Sequence, residues 1–208
     1  MSRSTATLPA TWLRLVSFSL THAASRIYPA NYTEQISLQF MGFAEGVGRS
    51  YRYYKGHPLF AFGAGGSYTN FSLSCARTAS GAATYSFNCT IGNSGPREGD
   101  EVLQVYHRVS TLIREKAPHP VPLKRLVEFE RVRLSAGAQT HVGFSLHVEQ
   151  FALIDNEGGR VVYSGDHDVI FSRGHGDDVV IPVSIAVADA GAHAPPAPLD
   201  PANPRARP

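Results

Sequence analysis

Charge is scarce in this sequence. Only 17% of its 208 residues are Asp, Glu, Lys or Arg, and the formal net charge is +2. Nucleic-acid binding needs a basic stripe or face, so no nucleic-acid partner is expected. Long apolar runs are missing too. No window approaches the roughly 18 uninterrupted apolar residues of a membrane-spanning helix, so no membrane partner is expected either. The signatures of nucleotide, nucleophile and metal chemistry are equally absent. There is no G-x-x-x-x-G-K-[ST], no G-x-G-x-x-G between a strand and a helix, no G-x-S-x-G, no H-E-x-x-H and no C-x-x-C. No cofactor and no resident metal are expected.

What is present reads as β-structure. YTNFSLSC (68–75) places Phe71, Leu73 and Cys75 on one face. TYSFNCTIGN (84–93) does the same with Tyr85, Phe87, Cys89 and Ile91. The small, polar ARTASGAA between them suits a hairpin turn centred near Gly81 and Ala82. Further strand-sized segments follow: EVLQVYHRV, RLVEFERVRL, THVGFSLHV, FALID, RVVYSG and HDVIFSR, separated by Gly, Pro, Asn and Asp. Strands recurring every eight to twelve residues are the pattern of an all-β sandwich of about seven strands. STLIREKAPHPVPLK, with Pro118, Pro120 and Pro122, reads as a loop or extended crossover, and no segment here shows helical periodicity. In VEFERVRL the apolar parity switches, from Val127 and Phe129 to Val132 and Leu134. A bulge or a strand break near Glu130 or Arg131 is therefore expected.

Candidate chemistry fails on context. The glycines of HPLFAFGAGGSY (57–68) precede a strand, with no helix to face an anion, and read as a bend feeding that strand. Glu128 and Glu130 would stand roughly 7 Å apart on one strand face. With Val127 and Phe129 taken as the apolar set, they face solvent among Arg125, Arg131 and Arg133, without the burial that raises a catalytic acid. Asp177 and Asp178 sit in a loop beside glycines. His167, Asp168, His175, Asp177 and Asp178 straddle one strand, so they sit at its two ends rather than converging on a metal. No catalytic residue is expected in this chain.

Cys75 and Cys89 fall opposite one another across the hairpin, which allows a disulfide as well as a pair of buried thiols. Three N-x-[ST] sequences, at Asn31, Asn70 and Asn88, are candidate N-glycosylation sites that favour a secretory history. WLRLVSFSLTHAAS (12–25) has the outline of a poor signal peptide, its apolar run broken by Arg14 and Ser17. The tail at 188–208, rich in Pro and Ala, has too little apolar surface to order itself.

The junction GRSYRYYKGHPLFAFGAGGSYTNFSLS (48–74) resembles that of family 3 glycoside hydrolases, especially their β-xylosidase-like branch. There a G-R-T-Y-R-Y-Y segment leads into P-F-G-x-G-L-S-Y-T-x-F and a fibronectin type III-like domain. GNSGPREGDEVLQVY, PLKRLVEFERVRLSAG and LIDNEGGRVVYSGDHDVIFS extend the likeness in order. The resemblance implies a fibronectin type III-like (immunoglobulin-like) sandwich at 68–187, after a glycine-rich linker at 57–67 and a remnant of an α/β hydrolase domain at 1–56. It also implies an insert at 13–26, since TLPATW and IYPANY look like halves of one family motif. Ala61 and Gly66 replace a proline and a leucine of the pattern, which implies a looser linker. By the same resemblance Tyr51, Tyr53, Tyr54, Phe60, Phe62, Gly63, Gly65 and Tyr68 are the linker and packing residues. The implied partners are the catalytic domains of a longer secreted β-xylosidase or β-glucosidase, in cis, and through them an oligosaccharide. The family's nucleophile and acid/base carboxylates lie in domains this chain is too short to hold, so the chain alone is expected to be inactive. A stand-alone carbohydrate- or protein-binding sandwich is the rival reading, with Tyr106 and Tyr163 its candidate sugar platforms. A gene fragment without function is a third.

Overall fold

A computed structural model describes residues 42–187, apart from 82, 176 and 177. The expected insert at 13–26, Asn31 and the tail at 188–208 lie outside the described residues. Two antiparallel sheets make up the body. β1 (Phe71–Ser80), β2 (Thr84–Asn93) and β5 (Gln139–His147) form one, in the order β1-β2-β5. β3 (Gly99–Val109), β4 (Arg125–Leu134), β8 (Gly165–Ser172) and β9 (Val179–Ile185) form the other, in the order β4-β3-β8-β9. Seven long strands in a three-plus-four sandwich match the fold class read from the spacing of the strand segments.

The core follows the alternation. Tyr85, Phe87, Cys89 and Ile91 of β2 are buried, and Phe71 of β1 joins them. The two sheets meet through rings: Phe171 of β8 stands 5.4 Å from Phe87 and 5.8 Å from Phe144 of β5. One buried asparagine locks the turn between β2 and β3. Asn93 Oδ1 accepts from Thr69 Oγ1 at 2.6 Å and from the Gly95 N–H at 3.1 Å. Its Nδ2 donates to the carbonyls of Arg97 and Leu134 at 2.7 and 3.0 Å. All four capacities of the side-chain amide are used, so its burial leaves nothing unpaired.

Four segments depart from the sequence reading. FALID and RVVYSG form only the two-residue strands β6 (Leu153–Ile154) and β7 (Arg160–Val161), a small ladder after a 3-10 turn at Val148–Phe151. The strand that completes the sandwich is instead β9, past the last segment recognised. Pro182 obscures it in sequence, and it is tolerated because β9 is an edge strand bonded on one side only. The proline-rich stretch opens with a helix, α2 (Thr111–Lys116), after the shorter α1 (Ser50–Tyr53) in the linker region. Ser110 caps α2, its hydroxyl accepting from the Ile113 N–H at 3.4 Å, and the helix stops ahead of Pro118.

The bulge in β4 also lies elsewhere. Pairing with β3 is regular through Glu130 and Arg131, and Val127 is the residue passed over, between the Val105–Glu128 and Tyr106–Leu126 pairs. Glu128 and Glu130 thus share the face of the core residues Val105 and Leu103, at an exposed edge, while Phe129 pairs with Gln104 and is 57% exposed. An edge strand tolerates this inversion because little covers either of its faces there. Arg131 and Arg133 do not serve the glutamates. They reach across to Asp100 and Glu98 of the β2–β3 connection and β3.

Two histidines are built into the interior. His107 and His167 are each 2% exposed, with Nε2 of the first 2.8 Å from Nδ1 of the second. The network sets their tautomers. His167 Nε2 lies 2.9 Å from the Tyr163 carbonyl, which only accepts, so that nitrogen carries hydrogen and Nδ1 accepts from His107. Phe151 stands edge-on to both rings. Burial pushes both imidazoles below the ordinary histidine range, so the pair is neutral near pH 7.

Candidate functional site

α1 and the residues between it and β1 do not hang free. Tyr51 stacks on Phe62, centroids 4.1 Å apart, and both meet Tyr106 of β3 edge-on at 6.0 and 6.4 Å. The Tyr51 hydroxyl accepts from the Leu126 N–H at 3.3 Å, and the Arg52 carbonyl accepts from the Leu123 N–H at 2.5 Å. Tyr106 is fully buried beneath this cover. Its hydroxyl donates to Gln104 Oε1 at 2.6 Å, and burial with the nearby Tyr51 and Asp178 pushes its pKa up.

Gly63 explains the closeness. It is buried, with φ +83°, and its backbone lies against Gly174 in the β8–β9 connection, where φ is +77°. A Cβ on Gly174 would fall 2.0 Å from the Gly63 carbonyl oxygen. Two glycines therefore allow two backbones to touch. The expectation of a loose bend is corrected here: the linker is laid flat on the outer face of the four-stranded sheet and pinned there. Gly65 and Gly66, by contrast, are exposed.

Of the other residues singled out by sequence, Tyr54 is buried and Tyr53 half-buried, with the Arg52 guanidinium 6.0 Å from the Tyr53 ring centroid. Phe60 and Tyr68 point away, 70% and 72% exposed. Cys75 and Cys89 are joined in a disulfide between directly paired residues of β1 and β2. Asn70 and Asn88 are exposed. Tyr106 and Tyr163 offer no open platform, since Tyr106 is covered and the half-buried Tyr163 bonds His119 Nε2 at 2.9 Å. His167 is interior, Asp168 pairs with Arg108, and His175 lies 3.4 Å from Glu101. Among the described residues no group of three or more His, Cys, Asp or Glu is placed to hold a metal. No described helix is long and apolar enough to cross a membrane.

What sequence reasoning missed is a cleft of about 330 Å³ between linker and sandwich. Tyr51, Tyr54, Pro58 and Phe62 wall one side, and Arg108, Arg114 and Lys124 bring positive charge to the other. Arg108 is bound through Nε and Nη2 to Asp168 Oδ2, at 2.9 and 2.7 Å. Burial and the neighbouring Arg108 both push the Arg114 pKa down. The cations lie on β3, on α2 and just before β4, too far apart in sequence to form a motif.

Comparison with known proteins agrees with this architecture. A fibronectin type III-like domain model matches residues 101–173, from β3 to just past β8. A probable exo-1,4-beta-xylosidase of Aspergillus japonicus is 29% identical over 187 residues, covering 76% of this chain and 22% of that protein. Beta-D-xylosidase 3 of Arabidopsis thaliana is 25% identical over 178 residues, covering 67% of this chain and 22% of its own. The chain thus spans about a fifth of the length of the curated relatives it matches. Among solved structures, a Listeria innocua beta-glucosidase superposes with a TM-score of 0.54 at 29% identity, over 64% of this chain and 19% of that one. A Kluyveromyces marxianus beta-glucosidase gives 0.58 at 26%, over 67% and 17%. The sandwich thus contains a fibronectin type III-like domain, and the chain is similar to one part of the much longer β-xylosidases and β-glucosidases of the family 3 glycoside hydrolases.

Proposed function

We propose that this sandwich is the accessory domain of a longer, β-xylosidase-like glycoside hydrolase, bracing the catalytic domains that precede it in the same polypeptide. The observation that carries the reading is the distribution of exposed apolar side chains. Of the eight large ones among the described residues, Phe43, Leu59, Phe60 and Tyr68 lie in the short segment that enters the sandwich, at 61%, 64%, 70% and 72% exposure. Apolar surface gathered on one entering segment is the mark of a contact with another body. The linker beneath it is fastened to the sandwich, so such a contact would fix the sandwich's orientation as well as its distance.

In this reading the chain supplies bracing rather than chemistry. Glycosidic hydrolysis uses two positioned carboxyl groups flanking the bond, and Glu128 and Glu130, the strand pair singled out in the sequence, stand exposed on an edge strand. The secretory pathway is the compartment that fits best. The Cys75–Cys89 disulfide needs an oxidising environment, and Asn70 and Asn88 are both accessible to a glycosyl transferase.

An antibody raised against residues 68–187 tests the reading on extracts of the native source. A reactive polypeptide several times longer than 208 residues, carrying xylosidase activity through immunoprecipitation, is the expected result. A product of 208 residues as the sole reactive species would refute it.

A further inference from the structure

The cleft between linker and sandwich holds more positive charge than its surroundings neutralise. Among the described residues, Arg108 is the only one of its three cations with a carboxylate partner. Among the described residues the buried Arg114 Nε finds no hydrogen-bond partner, and its Nη2 donates to the Leu123 carbonyl at a long 3.4 Å. The Lys124 ammonium rests 4.4 Å from the centroid of the Tyr106 ring and forms no ion pair among the described residues. A buried guanidinium nitrogen without an acceptor is costly. Two cations without an ion pair among the described residues make this cleft locally positive. The opposite wall is apolar and ring-lined, with Tyr51 stacked on Phe62 beside Tyr54 and Pro58.

We propose that this cleft binds a sugar acid: one pyranose ring bearing a carboxylate, of hexuronate size. The carboxylate lies between Arg114 and Lys124, where a guanidinium fork and an ammonium supply charge-assisted donors. The apolar C–H face of the ring lies on the Tyr51, Tyr54 and Phe62 wall. A volume of about 330 Å³ accommodates one such ring and stands at the small end of ligand sites. Neither half suffices alone. A neutral sugar leaves both cations unmatched, and a bare carboxylate leaves the aromatic wall uncovered. The site is built wholly from described residues of this chain, so its test does not need the activity of a longer enzyme.

Glucuronate titrated into the full 208-residue chain provides the test, followed by nuclear magnetic resonance at the Arg114 Nε–H and the Tyr51 and Phe62 rings. Xylose and acetate, at matched ionic strength, separate ring from carboxylate, and free glutamate stands in for an acidic protein side chain. Glucuronate is expected to shift all three signals together, with the other compounds roughly tenfold weaker or more. Arg114→Gln and Lys124→Gln are each expected to weaken glucuronate binding by about tenfold while the spectrum stays dispersed. Should Arg114→Gln fail to fold, Lys124→Gln decides alone, since its side chain holds no backbone group. No glucuronate-dependent shift at the cleft would overturn the proposal. So would equal binding of xylose, acetate or glutamate, or a folded Lys124→Gln variant with undiminished affinity.

Discussion

Replacing Gly174 with alanine tests whether the linker is held against the sandwich. The new methyl carbon would stand 2.0 Å from the Gly63 carbonyl oxygen and 2.6 Å from its carbon, both backbone atoms with no side-chain freedom to yield. Two terms add. Alanine at φ +77° costs roughly 1–2 kcal/mol for the left-handed conformation itself. Relieving the overlap requires the linker to lift, which forfeits the ring contacts of Phe62 with Tyr51 and Tyr106, each worth about 0.5–1.5 kcal/mol beyond area burial. The sum is on the order of 2–5 kcal/mol. Gly137→Ala is the matched control: φ is +72°, and nothing lies within 4 Å of the added Cβ. It carries the conformational term alone. Urea denaturation of both variants should therefore separate them by about 1–3 kcal/mol. Amide exchange should quicken at Leu123 and Leu126, which donate to Arg52 and Tyr51, in Gly174→Ala only. Equal destabilisation of the two variants, with unchanged exchange at Leu123 and Leu126, would refute the pinned linker.

Other expectations follow from the core and its cross-link. Reducing the Cys75–Cys89 disulfide, which closes a loop of sequence separation 14, is expected to lower stability by about 3 kcal/mol, read as a fall in Tm on adding reductant. Phe87→Ala, at a side chain 2% exposed, should cost about 3–5 kcal/mol, and Phe129→Ala, 57% exposed, less than about 0.5 kcal/mol. Comparable losses at the two sites would restore Phe129 to the interior and move the bulge back along β4. Burial lowers the folded pKa of His107 and His167, so below their ordinary value of about 6.5 the unfolded chain binds protons that the folded one refuses. Stability should then fall from pH 7.5 to pH 5.5 in urea titrations, and fall less steeply in His167→Gln; a flat profile in the parent chain would contradict a neutral buried pair. Secreted from a eukaryotic host behind an added leader, the chain should lose mass on peptide-N-glycosidase treatment, by less in Asn70→Gln and Asn88→Gln.

Strands that bury one face were legible because alternation is a two-residue code. β1, β2 and β5 show it plainly, and the cross-strand approach of Cys75 and Cys89 followed from the hairpin. The two outer strands of the four-stranded sheet were read less well. β4 is covered too little on either face for its apolar residues to report an orientation, and Pro182 disguised β9 because an edge tolerates the missing N–H. α2 was hidden by the prolines after it, since six residues are too few to establish a helical period. The cleft was beyond reach for another reason. Its cations come from β3, α2 and the residue before β4, and its rings from the linker, so only the folded backbone brings them together.

The placement of the disulfide has a mechanical consequence. Once the pinned linker has been lifted, tension applied through it enters the sandwich at β1, an outer strand of its sheet that would otherwise unzip from β2 one hydrogen-bonded pair at a time. The covalent bond at Cys75 stops that peeling four residues past Phe71, the first of the strand. Beyond that point the load passes directly to β2, which is gripped on both sides by β1 and β5 and resists in shear along its whole length. Under oxidising conditions the sandwich is thus a firm anchor against a pull from its N-terminal side, and under reducing conditions it yields from the edge inward.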